Sequence, residues 1–357
     1  MRKDRRYSAL IGVLAIMSLG ALLAACGSSD NTTSSSSASV AGDTTEAADG
    51  KTLIKTAVLL NGKADDQTWN TSMADSIERA KGPLGLDVIN TLESVTPADG
   101  ARAMREVIEQ GGAELVVLHA SALDQATQEV AAEFPDVCFV QAFGTGEPGK
   151  NVTYFFDDST GVNYLAGMAA ASISKSGTIG VVGGIDLTEI VVSVDAFKSG
   201  TKAINPDAET LLTWVGNFED PLKGKEAGLA QIAQGADVVY AYGDGTGLGT
   251  VEAAKEKNVP IIGAWFDQYK LAPELMITSF VTDWVPVLTQ VTDKIRTDGA
   301  GSCSVGAYVA NLNDGGTLLA PYHDYDSKIP ADVKTKIDEA RQAIIDGTLD
   351  PVTGKTK

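Results

Sequence analysis

The 357-residue sequence has few of the side chains on which catalysis and metal binding depend. It contains two histidines and three cysteines, and aromatic residues make up 6% of the chain. His119 and His323 stand far apart, and no group of His, Cys and carboxylates has the spacing of a zinc site. The sequence also lacks a G-x-S-x-G elbow, a P-loop and a recognisable nucleophile–base pair. We therefore expect no metal, no cofactor and no enzymatic activity.

Positive charge is also scarce. The chain has 28 Lys and Arg residues against 47 Asp and Glu residues, which gives a formal net charge of −19 at pH 7. Nucleic acids and anionic lipid headgroups both require a basic surface on their partner. We therefore expect neither as a partner, and acidity of this size is typical of a soluble exported protein.

The apolar stretch near the N-terminus is too short to cross a bilayer. Residues 10–23 fall below the roughly 20 residues that a spanning helix needs, and four basic residues precede them. This pattern is typical of a signal peptide. Leu23-Ala24-Ala25-Cys26 follows directly and resembles a bacterial lipobox, whose cysteine receives the lipid. We predict a signal peptide over residues 1–26 and a lipid anchor on Cys26.

Residues 27–50 consist almost entirely of Ser, Thr, Ala, Gly, Asp and Glu and include no aromatic residue. Such a stretch cannot bury enough apolar surface to offset the entropy cost of ordering it. We predict a flexible tether between the membrane and the folded body.

Two cysteines remain after lipidation. Cys138 lies in an apolar, strand-like run, where a buried free thiol is the simplest interpretation. A disulfide with Cys303 stays open as an alternative, because exported proteins meet an oxidising environment.

From Lys51 onwards, short apolar runs alternate with longer helical stretches. Continuous Val, Ile and Leu runs of this kind are typical of parallel strands covered by helices on both faces. Two successive series predict an α/β protein with two doubly wound parallel-sheet lobes. The tail is too long for the second lobe alone, so we expect it to cross back and form hinge strands. The predicted lobes comprise residues 51–157 plus about 282–312, and residues 158–281 plus about 313–357.

Ligands of open α/β sheets bind beyond the carboxyl ends of the strands, which here is the cleft between the lobes. The loops at those ends carry aromatic, carboxylate and amide side chains together with glycines. Aromatic rings that stack on a ligand, with amides and carboxylates at its edge, predict a site for a flat, polar molecule. The candidate ligand residues are Asn61, Asp66, Trp69, Asn70, Ser121, Asp124, Phe218, Gly243, Gly245, Trp265 and Asp267.

Several short motifs occur in an order that resembles a known family. They are Asp66-Gln67-Thr68-Trp69-Asn70, Ile179-Gly180-Val181-Val182-Gly183-Gly184, Gly216-Asn217-Phe218-Glu219-Asp220, the glycine-rich turn at 243–249, and Asp267-Gln268 followed by Leu271-Ala272-Pro273. In this order they resemble the basic membrane protein family of substrate-binding lipoproteins, whose best-known members are purine nucleoside receptors of ABC importers.

The resemblance implies a type I periplasmic-binding-protein fold, a small-molecule ligand, an ABC permease as partner and a monomeric protein. Carried over by position, Trp69 and Phe218 would sandwich a purine base. Asn61, Asn70, Asp124 and Asp267 would hold its edge or the ribose, and Gly245 would supply backbone contacts.

Three departures from the family pattern bear on the ligand. Nucleoside-binding members usually carry Asp at the positions of Asn61 and Trp265, and Lys at the position of Thr282. The lost carboxylates and ammonium would normally reach polar ligand groups, so a free purine base or another flat heterocycle is as consistent as a nucleoside. A sugar or autoinducer receptor of the same fold, or a surface signalling protein, stays open as an alternative.

Overall fold

The computed structural model describes residues 52–356, in which two six-stranded sheets form the cores of two lobes. The predicted signal peptide over residues 1–26, the lipidation site Cys26 and the tether over residues 27–50 lie outside the described residues.

The strands and helices alternate along most of the chain. The strands are β1 (Ile54–Leu60), β2 (Leu86–Leu92), β3 (Leu115–His119), β4 (Cys138–Ala142), β5 (Val152–Asp157), β6 (Thr178–Gly183), β7 (Glu209–Trp214), β8 (Val238–Tyr242), β9 (Ile261–Gly263), β10 (Met276–Thr282), β11 (Ala307–Ala310), β12 (Thr317–Leu319), β13 (Leu349–Asp350) and β14 (Lys355–Thr356). The α-helices are α1 (Trp69–Leu84), α2 (Pro97–Glu109), α3 (Asp124–Glu133), α4 (Thr160–Ile173), α5 (Thr188–Ile204), α6 (Pro221–Ala233), α7 (Gly245–Lys257), α8 (Val285–Asp298) and α9 (Ala331–Ile345).

The first sheet has the strand order β11-β5-β4-β3-β1-β2, and all of its pairs are parallel. The second has the order β12-β10-β9-β8-β6-β7 and is parallel except for β12, which runs antiparallel to β10. The predicted α/β architecture of two parallel-sheet lobes is therefore confirmed. The lobe boundaries given above stay a proposal.

Each sheet is buried on both faces. Successive side chains of a strand point to opposite faces, so each strand contributes to two apolar clusters. In β1, Val58 and Leu60 join one apolar cluster while Ala57 and Leu59 join another. The second sheet has the same layout, with Tyr240 and Val239 in separate clusters. This arrangement explains why the strands read as continuous apolar runs in the sequence.

The chain passes between the two sheets three times, after β5, after β10 and after β11. The second passage is fixed to α1 by a buried side chain, since Trp284 donates its indole N–H to Ser72 Oγ at 3.0 Å. Next to it, Arg79 donates to both carboxylate oxygens of Asp283 at 2.9 Å. The return of the tail to the first lobe is therefore held by specific side-chain contacts.

Two features of the tail differ from the expectation. Strand β12 and the β13–β14 hairpin were not predicted, because pieces of two or three residues are too short to show a period. Cys138 and Cys303 form a disulfide, so the interpretation of Cys138 as a free thiol is wrong. The pairing arises because helix α8 returns to the first sheet and places Cys303 beside β4.

The disulfide closes a loop of 165 residues, and closing a long loop restricts the unfolded chain strongly. We expect the Cys138→Ala/Cys303→Ala double variant to lose about 2–4 kcal/mol of unfolding free energy. Its melting temperature should fall by roughly 5–10 °C in a thermal unfolding experiment. In reductant the wild type should have the same melting temperature as the variant. Reductant should leave the melting temperature of the variant unchanged. Equal melting temperatures of the oxidised wild type and the variant would contradict a stabilising disulfide.

Candidate ligand-binding site

The loop that joins β1 to α1 is organised by one carboxylate. Asp66 accepts hydrogen bonds from the backbone N–H groups of Thr68 at 2.8 Å, Asn70 at 3.0 Å and Thr71 at 3.0 Å. A carboxylate at this position satisfies free N–H groups at the start of the helix and complements its dipole. Asp66 therefore supplies the cap of the helix, and Asn70 lies within α1.

The cap at Asp66 fixes Trp69 as the first residue of α1, with its ring among other aromatic rings. The Trp69 ring stacks on His119 with 3.9 Å between ring centroids and an interplanar angle of 15°. It meets Trp265 nearly perpendicularly at 5.3 Å and Trp284 in the same way at 5.7 Å. Trp265 belongs to the segment after β9 in the second lobe, so this cluster joins the two lobes.

His119 acts as a neutral aromatic platform beneath Trp69. It is fully buried, and burial lowers its pKa to about 3. Its Nε2 lies 3.1 Å from the backbone oxygen of Trp69, which can only accept, so Nε2 carries the proton. An uncharged imidazole in this position supports the Trp69 ring and is not available as a base.

Trp265 is held in an unusual backbone conformation beside Thr282. Its φ of 71° lies in the left-handed region, which costs free energy for a bulky residue. The backbone N–H of Thr282 donates to the Trp265 oxygen at 3.1 Å, and the Thr282 side chain is buried. Two of the three positions that depart from the family pattern are thus direct neighbours, one large and one small.

Phe218 lies in a loop that is attached to the start of α7. The backbone N–H of Thr246 donates to the Phe218 oxygen at 2.8 Å, and Thr246 Oγ1 donates to the Asn217 oxygen at 2.7 Å. A side chain at Gly245 would come within 3.1 Å of the Glu219 backbone, so only glycine fits there without a shift. Among the ring contacts of the described residues, none joins Phe218 to Trp69. Their predicted sandwich stays a prediction.

Asp244, which precedes α7, faces the first lobe. Burial raises its pKa to about 8, and the nearby carboxylates Glu219 and Asp66 act in the same direction. The backbone N–H of Trp69 opposes them by stabilising the charged form. Glu219 also has a raised pKa, caused by partial burial and by Asp66. Three acids from two lobes therefore converge near the start of α1.

The other two predicted ligand carboxylates, Asp124 and Asp267, also have protein partners, as Asp66 does. Asp124 accepts from Thr145 N at 3.0 Å and from Thr145 Oγ1 at 2.7 Å. Asp267 lies 2.8 Å from His323 Nε2, and the His323 ring stacks on Tyr269 at 4.1 Å. The fold brings His323 next to Asp267 although 56 residues separate them.

The other predicted residues are spread along the strand ends. Asn61 and Ser121 are exposed, at the ends of β1 and β3. Gly243 follows β8, and a side chain there would lie 3.5 Å from Gly184 N. The structure brings Asp66, Trp69, Asn70 and Trp265 close together, while Asp124 and Asp267 stand in hydrogen-bonded groups of their own.

A buried polar group at the end of β5 was missed by the sequence analysis. Ser159 Oγ lies 2.9 Å from Ser193 Oγ and 3.4 Å from the Tyr242 hydroxyl. Burial raises the pKa of the neighbouring Asp157 to about 7, and Ser159 partly offsets this by hydrogen bonding. Asp157 ends β5 in the sequence, but only the tertiary structure shows that it is partly buried beside Ser159.

Within residues 52–356 no group of three or more His, Cys, Asp or Glu side chains is arranged to hold a metal ion. In the same range no helix is both long and apolar enough to span a membrane. A surface groove of about 290 Å³ lies by the third passage, next to Asn311 and Asp350, and none of the predicted ligand residues lines it.

The two parallel-sheet lobes, the triple passage between them and the aromatic cluster at the strand ends define a class of protein. They are the features of a two-lobed α/β protein that binds a small molecule between its lobes.

The chain belongs to the Bmp family, described as ABC transporter substrate-binding protein PnrA-like, which matches residues 53–348. It is 28% identical to a purine-binding protein of Brucella abortus over 85% of this chain and 84% of that protein. It is also 28% identical to the ABC transporter nucleoside-binding protein BmpA of Lactococcus lactis, over 68% and 72% of the two chains. A solved ABC transporter solute-binding protein from Conexibacter woesei superposes with a TM-score of 0.71, at 28% identity over 83% and 98% of the chains.

These similarities confirm the family that the sequence motifs indicated and the periplasmic-binding-protein fold. Proteins of this class bind a small molecule on the outer side of the cytoplasmic membrane and present it to a permease.

The partly buried carboxyl group of Asp157 predicts a pH-dependent effect on stability. Its pKa is raised from 3.8 to about 7, so the unfolded chain releases this proton first and stability falls as pH rises from about 4 to 7. Asp157→Asn stays neutral, and its melting temperature relative to the wild type should therefore rise between pH 4 and pH 8. Asp207→Asn, which changes an exposed acid, is the control and should show no such trend. A constant difference for Asp157→Asn across this range would contradict the prediction.

Proposed function

We propose that the protein captures a purine base, in preference to a purine nucleoside, and delivers it to the permease of an ABC importer. The observation that carries the proposal is the position of Trp265. Its ring lies 5.3 Å from the Trp69 ring and nearly perpendicular to it, so it borders the ring on which we expect a base to stack. The bulk of Trp265 therefore occupies space next to the base, where nucleoside-binding relatives are expected to place a carboxylate for the ribose.

The neighbourhood of Thr282 supports the same conclusion. Its side chain is buried and its hydroxyl has no hydrogen-bond partner among the described residues. A lysine at this position could reach a ribose, whereas a threonine packed against the Trp265 backbone cannot extend that far. The large residue at 265 and the small one at 282 thus change together the part of the cleft that a ribose would need.

The remaining parts of the proposal follow from the class of protein. We infer that Trp69, Phe218, Asn70 and Asp66 contribute to the ligand site, with His119 supporting Trp69 from behind. We also propose that the mature chain is a monomer and is anchored through a lipid on Cys26, which keeps it near its permease. The relative from Brucella abortus, which is described as purine-binding, supports a purine as the ligand.

A ligand panel tests the proposal. Thermal unfolding of the full-length protein should be measured with purine bases, pyrimidine bases, nucleosides and simple sugars. A ligand at about 100 times its Kd stabilises the folded state by about 2.7 kcal/mol, which is a shift of several degrees. We expect the largest shift with a purine base and a smaller one with its nucleoside. Trp69→Ala should weaken base binding about tenfold through the loss of stacking. A shift with sugars alone would reject the proposal.

Enlarging the cleft at Trp265 should change the preference of the site. In Trp265→Ala we expect the affinity for adenosine relative to adenine to rise by about tenfold, because space for a ribose opens beside the base. Titration calorimetry of both ligands gives this ratio. Trp265→Phe, which keeps an aromatic ring, is the matched variant and should change the ratio much less. An unchanged ratio in a folded Trp265→Ala protein would show that Trp265 does not limit ribose binding.

A further inference from the structure

Two buried hydrogen-bond acceptors at the junction of the lobes have no partner among the described residues. One is Oδ1 of Asn70, whose residue is 4% exposed. The other is Oδ1 of Asp244. A buried polar atom without a hydrogen bond costs about 1–3 kcal/mol, and folded proteins rarely leave one unsatisfied. Two such acceptors at the start of α1 indicate a site for a donor that is not part of the protein.

Both acceptors are connected to the start of α1. The Asn70 amide donates to Asp66 Oδ2 at 2.8 Å, which leaves Asn70 Oδ1 as the free end of that side chain. Asp66 and Glu219 are the charged groups that act on Asp244, and the Trp69 backbone N–H reaches it from the start of α1. Both acceptors therefore lie near the first residues of α1, where Trp69 begins the helix.

The lysines near this region are engaged elsewhere. On α6, Lys223 pairs with Asp220 at 3.5 Å and Lys225 pairs with Glu256 at 3.0 Å. In the β1–α1 loop, Lys63 pairs with Glu93 at 2.6 Å. Three carboxylates thus meet without a facing cation in the described part of the chain. Such a site repels phosphate and carboxylate groups and favours N–H donors.

We propose that Asp244 is a specificity-determining residue that accepts hydrogen bonds from N–H groups at the edge of the bound heterocycle, with Asn70 accepting beside it. The ligand class is an amino-substituted purine base, and nucleotides are excluded by charge. This inference rests on the proposed function and goes further by naming the edge of the base that is recognised.

The chemistry of a free base agrees with this assignment. A free purine base, which has no ribose, carries an N–H group in the imidazole ring. In a nucleoside the ribose replaces that hydrogen. An exocyclic amino group adds two more donors. A buried carboxylate that meets such a donor edge gains a charge-assisted hydrogen bond, which is stronger than a neutral one. Selection by Asp244 and exclusion by Trp265 therefore favour the same kind of ligand.

Binding of an N–H edge to ionised Asp244 has a readout that a purely structural role would not produce. Burial raises the pKa of Asp244 to about 8, so the carboxyl group must lose its proton before it can form the charge-assisted hydrogen bond. Affinity should therefore rise as pH increases from 6 to 8 and level off above, and binding should release up to one proton. Glu219, whose pKa is also raised, acts in the same direction.

The experiment is calorimetric titration of adenine and guanine into the full-length protein between pH 6 and pH 9. Two buffers with different ionisation enthalpies at each pH give the number of protons released. For the wild type we expect affinity to increase between about tenfold and a hundredfold from pH 6 to pH 8. In Asp244→Asn this dependence should shrink to less than about threefold. Asp65→Asn, which removes an exposed acid from the β1–α1 loop, is the matched control and should keep it.

The possible results separate the two proposals. If the wild type binds these bases with a pH-independent affinity, or takes up protons on binding, the role of Asp244 is overturned while the proposed function stands. If hypoxanthine binds but adenine and guanine do not, the role of Asp244 is likewise overturned while the proposed function stands. If no purine binds at any pH, the proposed function fails, and the inference fails with it. An Asp244→Asn protein that melts like the wild type and retains the pH dependence would also overturn the assignment.

Discussion

The perpendicular contact between Trp69 and Trp265 is the interaction on which the arrangement of the cleft depends. Trp69 comes from the start of a helix in the first lobe, and Trp265 comes from a loop at a strand end in the second lobe. Each ring is supported on its own side, by His119 beneath Trp69 and by Phe280 at 5.1 Å from Trp265. The two lobes therefore meet through two aromatic rings, and contacts within the protein hold each ring in place.

The junction between the lobes is also acidic. The acids that meet there come from separate loops, and burial makes the charged form of Asp244 costly. The groups that offset this cost are hydrogen-bond donors, and the protein provides only a few, such as the Trp69 backbone N–H. A ligand with N–H groups supplies what is missing, whereas a phosphate would add to the repulsion. The same junction thus combines a stacking surface with an acceptor edge, which is suited to recognition.

Much of the fold could be predicted because it depends on local periodicity. Most strands and all the α-helices within residues 52–356 coincide with runs visible in the sequence, with ends that differ by a few residues. Strand β12 and the β13–β14 hairpin could not be predicted, because they form only where another part of the chain offers a partner. The disulfide is a similar case, since the distance between Cys138 and Cys303 is set by the path of α8.

For the site, the sequence by itself determined which kinds of side chain stand at the strand ends, and its motifs identified the family. It could not show that Asp66 is the cap of α1, or that His323 lies against Asp267, because these contacts depend on loop geometry and on residues far apart in the chain. The burial of Asp244 and the contact of Trp265 with Trp69 were decided only by the tertiary structure. Residues become buried, and charged groups come close to one another, when two sheets from different parts of the chain pack together. No local pattern in the sequence encodes the distances between such residues.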